Sequence, residues 1–351
     1  MASTAPSMPE REDSFFRRFL RSQFTALPYP STSFADQTII ITGANTGLGL
    51  EAARHIARLG ATTVILAVRD LKKGHAAKVS IEASTKRTDK VVEVWQLDLA
   101  HTESVRAFAE RANGLKRLDA VIENAGMVTE KFQIVNDGHS AAERTIAVNV
   151  INTFLLALLL LPKLHATASD CNTIPRLVIV GSEGYEVAAF KEAEADDIFA
   201  ALADPARSDM EDRYNTSKLL SLYGVLSLSS HLPHPTNSKL SPTQPGITLT
   251  TPTPGFCRSS LLREAPWYAS WINALVLRLL GRSAEVGSRT LVHAAEPHHP
   301  ETHGRFLRDC HVEPLAPFVR GERAIEVRER VYAQLMERLE RVAPGVTDLL
   351  I

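Results

Sequence analysis

The chain has 351 residues, of which 44% are hydrophobic and 23% are charged, and this composition excludes a disordered or fibrous protein. The 39 basic and 40 acidic residues nearly cancel, and no basic block or aromatic-rich basic stripe occurs, so we expect no nucleic-acid partner. The three cysteines are far apart in the sequence, which fits neither a disulfide framework nor a cysteine zinc site. We therefore expect a cytoplasmic protein without a bound metal.

The first segment in chain order is an arm over residues 1–35. We expect no signal peptide there, because residues 1–13 are polar. Over Phe15–Phe24 aromatic and leucine residues alternate with three arginines, which predicts an amphipathic helix that either packs on the domain or makes weak contact with a membrane surface. The most apolar run, Phe154–Leu161, is shorter than the ~20 residues that span a bilayer, so it predicts a buried helix.

Beyond the arm, short apolar runs typical of buried strands alternate with segments of helical length. The predicted strands are Thr38–Thr42, Thr63–Ala67, Val91–Leu97, Ala120–Glu123, Leu177–Val180 and Ile247–Thr251. Helices are predicted over Leu50–Leu59 and Ser104–Ala112. This alternation predicts an α/β fold with a Rossmann-like, doubly wound parallel sheet.

We assign residues 36–300 to one catalytic domain, preceded by the arm. Residues 301–351 form a C-terminal extension in this interpretation. Within it, Ala324–Val342 has apolar residues at helical spacing among many charges, which predicts an amphipathic helix.

A glycine-rich loop follows the first predicted strand and leads directly into a helix. Glycines let the backbone turn tightly and approach a pyrophosphate, and the helix N-terminus offers unpaired N–H groups. The loop therefore predicts a dinucleotide site. Its candidate cofactor-binding residues are Gly43, Asn45, Thr46, Gly47, Leu48 and Gly49.

Three further candidate cofactor residues follow strands. Arg69 stands where an NAD-binding fold usually has an acid, so it predicts a 2′-phosphate and NADP(H); the alternative is a solvated arginine, and the neighbouring Asp70 weakens the NADP(H) interpretation. Asp98 and Asn124 follow the third and fourth strands at the sheet edge where ligands bind. Alternatively, Asp98 caps the next helix and Asn124 makes a turn.

A tyrosine and a lysine, Tyr214 and Lys218, are four residues apart and share one face of a predicted helix. Lowering a tyrosine pKa from about 10 to about 7 requires roughly 4 kcal/mol. One cation at ~4 Å in an effective dielectric near 20 supplies about that much. We expect Lys218, with the nicotinamide charge, to lower the pKa of Tyr214, and Ser182 to hold the substrate oxygen.

These motifs resemble those of the short-chain dehydrogenase/reductase family from Thr38 to about Gly255. The resemblance implies hydride transfer between NADP(H) and a ketone, aldehyde or alcohol. The whole chain is similar to a fungal, retinol-dehydrogenase-like subgroup, many members of which belong to secondary-metabolite pathways. Alternatives are a non-catalytic NADP-binding regulator, or a cyclase, dehydratase or epimerase with the same fold.

The resemblance also implies residue roles. Tyr214 would be the catalytic acid/base, Lys218 would lower its pKa and hold the nicotinamide ribose, and Ser182 would orient the substrate. Asn149 would support a water-linked proton relay, and Pro254–Gly255 would lie near the nicotinamide.

Departures from the family pattern concern three places. Glu123 replaces an asparagine before Asn124, and Thr253 replaces one before Pro254. The segment between Ser182 and Tyr214 is long, with an acidic stretch, and we expect it to cover part of the substrate pocket.

An aromatic, apolar segment after Gly255 predicts a lipophilic substrate, or else a helix packed on the sheet or a dimer contact. Its residues are Leu261, Leu262, Trp267, Tyr268, Trp271, Ile272 and Leu275. The family resemblance makes a homodimer possible through helices at Thr145–Leu161 and Tyr214–Ser230, unless an additional arm blocks it.

Overall fold

The computed structural model describes residues 15–87, 90–136, 141–235, 246–258, 280–297 and 299–350. Its strands are β1 (Thr38–Thr42), β2 (Thr63–Val68), β3 (Val92–Gln96), β4 (Ala120–Glu123), β5 (Ile134–Asn136), β6 (Ala141–Glu143), β7 (Arg176–Ile179), β8 (Thr248–Thr253), β9 (Arg305–Arg308) and β10 (His311–Val312). The main sheet has the order β10-β9-β8-β7-β4-β1-β2-β3, and all its pairings are parallel except that of β10 with β9. The predicted doubly wound parallel sheet is confirmed.

Helices cover both faces of this sheet. They are α1 (Phe15–Phe24), α2 (Gly47–Arg58), α3 (Leu71–Thr85), α4 (Thr102–Asn113), α5 (Arg144–Cys171), α6 (Ile198–Leu202), α7 (Arg213–His231), α8 (Ala284–Ala295) and α9 (Glu322–Val342). One core cluster lies between the sheet and α2, α3 and α8, and the other lies between the sheet and α4, α5, α7 and α9. The fold is therefore a three-layer α/β sandwich.

Alternate residues of the central strands supply the two cores. Ile39 and Ile41 of β1 point to the α2 side, and Ile40 points to the α5 side. All five residues of β1 are buried. Because both faces are covered, the strand has a continuous apolar sequence and not an alternating one.

The sheet runs beyond residue 300, where sequence analysis placed the end of the catalytic domain. The bounds of the predicted strands lie within two residues of those observed, whereas β9 and β10 were not predicted. Two of the four residues of β9 are arginines, so it lacks an apolar run. The cost of burying the Arg308 charge is offset by ion pairs with Glu183 and Glu186, and the sequence alone does not reveal these pairs. The domain boundary itself stays a prediction.

Among the described residues, one helix, α5, is long and apolar enough to cross a membrane. In the folded chain, however, 89% of its most apolar window is buried inside the protein. Its residues pack against α4 and α7 within one core cluster. As predicted, Phe154–Leu161 belongs to a core helix.

The described part of the arm packs on the domain. In α1, Ser22 Oγ donates a hydrogen bond to Asp309 Oδ1 at 2.9 Å, and the ring centroids of Phe19 and Phe256 are 6.0 Å apart. Phe16 and Phe24 remain exposed. Contact of the arm with a membrane surface stays a prediction.

Helix α9 covers the outer face of α7. Ser227 Oγ of α7 donates a hydrogen bond to Glu329 at 3.3 Å, and the His231 and Tyr332 rings stack with centroids 5.1 Å apart. Val331, in the same stretch of α9, is fully buried. The homodimer through α5 and α7 stays a prediction. In the folded chain, α9 already covers a face of α7 that such a dimer would use.

Candidate active site

A cavity of about 320 Å³ opens at the carboxyl ends of the parallel strands, as expected for a ligand site in such a sheet. Of the predicted site residues, those lining it are Gly43, Asn45, Thr46, Gly47, Leu48, Arg69, Asp98, Asn124, Tyr214, Lys218 and Pro254. Gly49, Asn149, Ser182 and Gly255 are not among the lining residues. The structure therefore brings both predicted motifs, the glycine loop and the tyrosine–lysine pair, to one cavity.

The glycine loop requires glycine at three positions, two because of their backbone conformation and one because of a close contact. Gly43 and Gly47 have φ values of +67° and +59°, a region that side chains disfavour. A Cβ on Gly49 would lie 2.6 Å from Asn124 Nδ2 and 2.9 Å from the Gly43 carbonyl oxygen. Because α2 begins at Gly47, its unpaired N–H groups face the cavity and can bind phosphate.

Asn124 fastens the end of β4 to this loop. Its Nδ2 donates to the Thr42 carbonyl oxygen at 2.9 Å, and the next residue, Ala125, donates its N–H to Thr42 Oγ1 at 2.8 Å. Glu123 is buried, neither of its carboxyl oxygens has a hydrogen-bond partner, and burial raises its pKa well above the usual value. Burial therefore favours the neutral form of Glu123, which is closer in charge to the asparagine that it replaces.

Asp98 makes a turn and also lines the cavity. Its Oδ1 accepts a hydrogen bond from the Ala100 N–H at 2.9 Å, and its own N–H donates to Ser104 Oγ at 2.9 Å. The alternative that Asp98 caps α4 is wrong, because the N-cap is His101; Asp98 closes the turn before this helix and lines the cavity wall.

The cavity end beside β2 carries a second cation that sequence analysis missed. Arg69, Asp70 and Lys73 all line this end. Asp70 is the N-cap of α3, because its Oδ1 accepts from the Lys73 N–H at 3.1 Å, and its Oδ2 lies 3.8 Å from Lys73 Nζ. The sequence feature that could have revealed this second cation is Lys73, a lysine in the first turn of the helix that follows Arg69.

The catalytic candidates meet at the other end. Lys218 Nζ donates to the Val180 carbonyl oxygen at 2.8 Å and lies 5.9 Å from the Tyr214 ring centroid. Ser182 shares a side-chain hydrogen bond with Tyr214, and its Oγ accepts from the Gly184 N–H at 3.1 Å. A serine, a tyrosine and a lysine therefore converge at the end of the cavity away from β2.

The electrostatics differ from the expectation that Lys218 lowers the pKa of Tyr214. Burial raises the pKa of Tyr214, and the hydrogen bond with Ser182 opposes that rise. Burial also lowers the pKa of Lys218 to about 8. In the chain alone desolvation is the larger effect, because the ammonium group points to Val180 and not to the phenol oxygen.

Asn149 supports the site from a π-helical turn, Ala147–Ile151, at the start of α5. Its Oδ1 accepts from the Met127 N–H at 2.9 Å, and its Nδ2 donates to the Met127 carbonyl oxygen at 2.9 Å and to Ser217 Oγ at 3.0 Å. Such turns are frequent at functional sites. The amide joins the loop after β4 to α7, whereas the proton-relay role stays a prediction.

Pro254 lines the cavity. The next residue, Gly255, lies against Arg282, which binds helix α1 of the arm. Gly255 has a φ of +73°, and a Cβ there would lie 2.7 Å from Arg282 Nη1. Arg282 also pairs with Asp309 at 2.7 Å and donates to the Ser22 carbonyl oxygen of α1. The lipophilic segment predicted at 261–275 lies outside the described residues.

The long segment between Ser182 and Tyr214 contributes no lining residue to the described cavity, contrary to expectation. Its acidic stretch instead packs on α9. Gln334 accepts a hydrogen bond from the Ile198 N–H at 2.9 Å and donates to the Asp196 carbonyl oxygen at 2.7 Å, and Arg323 pairs with Glu194. Of the acidic side chains in this stretch, Glu194 pairs with Arg323 of α9 and Glu192 pairs with Arg213 of α7, so both are held outside the cavity lining.

A parallel sheet with a phosphate-binding loop at one end of its cavity and a serine–tyrosine–lysine centre at the other defines an oxidoreductase that binds a nicotinamide cofactor. The family model for short chain dehydrogenases matches residues 37–189. The chain is 51% identical to the short chain dehydrogenase atnD of Emericella nidulans, over 86% of this chain and 93% of that protein. It is 43% identical to the short chain dehydrogenase FGM9 of Gibberella zeae, over 95% and 94% respectively.

A solved structure of an uncharacterised protein from Mycobacterium paratuberculosis has a TM-score of 0.61 and 28% identity, and covers 88% of this chain and 96% of that one. The chain belongs to the short-chain dehydrogenase family and is of the fungal type. The resemblance to this family and its fungal members is confirmed.

Proposed function

We propose that this chain is an NADP(H)-dependent oxidoreductase that interconverts a ketone or aldehyde and an alcohol on a lipophilic small molecule. One observation carries the proposal: a single cavity joins the cations Arg69 and Lys73 to the pair Tyr214 and Lys218. A dinucleotide bound along the glycine loop can therefore reach both groups. No other arrangement of the described residues combines these two chemistries.

NADP(H) is preferred to NAD(H) in this proposal because of charge. The 2′-phosphate of NADP(H) is doubly negative, and the cavity end beside β2 offers a guanidinium and an ammonium group. Asp70, the carboxylate next to Arg69 in sequence, accepts a hydrogen bond from the Lys73 N–H as the cap of α3. The hydroxyls of an unphosphorylated ribose would offer these two cations no anion, and among the described residues only Lys73 has a carboxylate, Asp70, within 4 Å.

The chain's residues would handle the proton. A bound nicotinamide supplies or accepts the hydride. Ser182 and Tyr214 would hold the substrate oxygen, and the Tyr214 hydroxyl would give it a proton during reduction or take one during oxidation. Because burial raises the pKa of Tyr214, the hydroxyl is protonated at pH 7, the form that carbonyl reduction requires.

The substrate class, the metabolic role and the cellular location are proposed from other features of the chain. Met127, Val128 and Val148 line the cavity together with Tyr214, which suits an apolar substrate. A role in secondary metabolism is proposed from the family resemblance. A cytoplasmic location is proposed because all three cysteines are free thiols.

A fluorescence titration with NADPH and NADH tests the cofactor proposal. Arg69→Ala and Lys73→Ala should each weaken NADPH binding about tenfold or more, the loss of one charge-assisted hydrogen bond, and leave NADH binding unchanged. Lys72→Ala is the matched control, because exposed Lys72 does not line the cavity and should change neither affinity. Equal binding of both cofactors by the wild type, or equal weakening of both by the variants, would contradict the proposal.

Turnover with a panel of lipophilic ketones and aldehydes separates the alternatives. NADPH oxidation by one of them supports the proposed reaction. A regulator would bind NADPH without any turnover, and a cyclase, dehydratase or epimerase would convert substrate without net NADPH oxidation.

A further inference from the structure

Two histidines and a glutamate meet where α8 ends and the chain turns toward β9. Glu296 Oε2 lies 3.5 Å from His293 Nδ1 and 3.6 Å from His299 Nε2. One ligand atom from each of the three side chains lies within 4.8 Å of the other two. None of the three lines the cofactor cavity. The cluster is therefore separate from the candidate active site.

The spacing of these atoms suits a divalent metal ion. Zinc bonds of about 2.1 Å at tetrahedral angles place two ligand atoms roughly 3.4 Å apart. Two of the three pairs in the cluster already have about that separation, and all three ligand atoms lie within 4.8 Å of one another. Imidazole nitrogen and carboxylate oxygen are ligands that zinc accepts, and three protein ligands leave a fourth position for water.

A fourth side chain orients one ligand. Glu301 Oε1 lies 3.1 Å from His299 Nδ1, on the side of the ring opposite to Glu296. When this carboxylate accepts a hydrogen bond from Nδ1–H, the Nε2 lone pair is directed at the cluster, an arrangement that metal-binding histidines commonly show. The hydrogen-bond geometry thus prepares His299 to ligate through Nε2.

Electrostatics also favour a cation here. The Glu296 side chain is only 11% exposed, so its charge needs a partner. The centroids of the two imidazole rings are 4.8 Å apart, so both rings lie within reach of one ion. A divalent ion between neutral imidazoles satisfies all three groups at once, and the C-terminal end of α8 adds favourable negative potential.

We propose that His293, Glu296 and His299 form a zinc site, with Glu301 as the residue that positions His299. The N-terminal half of α8 lies near Pro254 at the cavity, whereas Ala295 near its end accepts a hydrogen bond from Arg176 at the start of β7. The site thus lies at the opposite edge of the sheet from the cavity. A bound zinc ion would tie α8 to the turn that precedes β9.

This proposal replaces the prediction of no metal. Sequence analysis considered the cysteines and overlooked a His-x-x-Glu-x-x-His spacing at 293–299. The spacing spans a helix end, so only the fold brings the last histidine back to the first.

The test is calorimetric titration of the full chain, freed of metal with a chelator and carrying no histidine tag, with zinc chloride. We expect one zinc ion per chain. Glu296→Gln and His299→Ala should weaken binding more than tenfold, and Glu301→Gln, which keeps all three ligands, about tenfold. His311→Ala, which removes an exposed histidine elsewhere, should have no effect. Zinc should raise the midpoint of thermal unfolding of the wild type but not that of Glu296→Gln.

Two results would overturn the proposal: no zinc binding by the wild type, or binding that Glu296→Gln and His299→Ala leave unchanged, as adventitious binding to surface histidines would. Each variant should still bind NADPH like the wild type, which shows that it is folded. Cobalt chloride gives a second readout, because a tetrahedral cobalt site absorbs visible light strongly and an octahedral one does not.

Discussion

The two ends of the cavity are built in different ways. At the cofactor end, the glycine loop and the start of α2 are contiguous in sequence, and their backbone conformation shapes the phosphate site. At the catalytic end, the wall behind Pro254 depends on Arg282, which bonds to Ser22, 260 residues earlier in the chain. The comparison teaches that the phosphate-binding loop is built mostly from residues that are neighbours in sequence. The wall behind Pro254, in contrast, depends on contacts between distant parts of the chain.

Removal of Arg282 is the largest expected disturbance of the catalytic end. Arg282→Met should lower the free energy of unfolding by about 3–5 kcal/mol, because it leaves Asp309 largely buried without its cation. Arg323→Met is the matched control. Arg323 forms exposed ion pairs with Glu194 and Glu326, so its loss should leave the free energy of unfolding nearly unchanged. Urea denaturation measures both, and equal losses would contradict the claim that the buried pair of Arg282 and Asp309 stabilises the catalytic end.

A smaller effect is expected at the cofactor end. Gly49→Ala should weaken NADPH binding about ten- to a hundredfold, because a Cβ 2.6 Å from Asn124 forces the loop apart at a cost of about 1–3 kcal/mol. A fluorescence titration measures this change. Gly321→Ala, with nothing within 4 Å of the added carbon, should bind NADPH like the wild type. Unaltered binding by Gly49→Ala would mean that the loop does not hold the cofactor.

The same contrast explains what could be predicted from the sequence. The strands that surround the cofactor site have continuous apolar sequences, and the bounds of β1 and β4 agree with prediction. Local chemistry sufficed there, since a glycine loop between a strand and a helix has few other uses.

Elements stabilised by distant partners could not be predicted. Strand β9 has arginines whose partners, Glu183 and Glu186, lie more than a hundred residues away. Lys73 reads as an ordinary surface lysine until the fold places it on the cavity wall. The raised pKa of Tyr214 likewise depends on burial by the folded chain and not on its spacing from Lys218.

The most direct test of the central claim, that one cavity binds NADPH and presents Tyr214 as the proton donor, is to measure binding and turnover together for Tyr214→Phe. We expect NADPH affinity like that of the wild type and turnover reduced about 10²- to 10⁴-fold, since general acid catalysis contributes that much. Exposed Tyr29→Phe is the control and should keep full turnover. Turnover that survives in Tyr214→Phe would contradict the account.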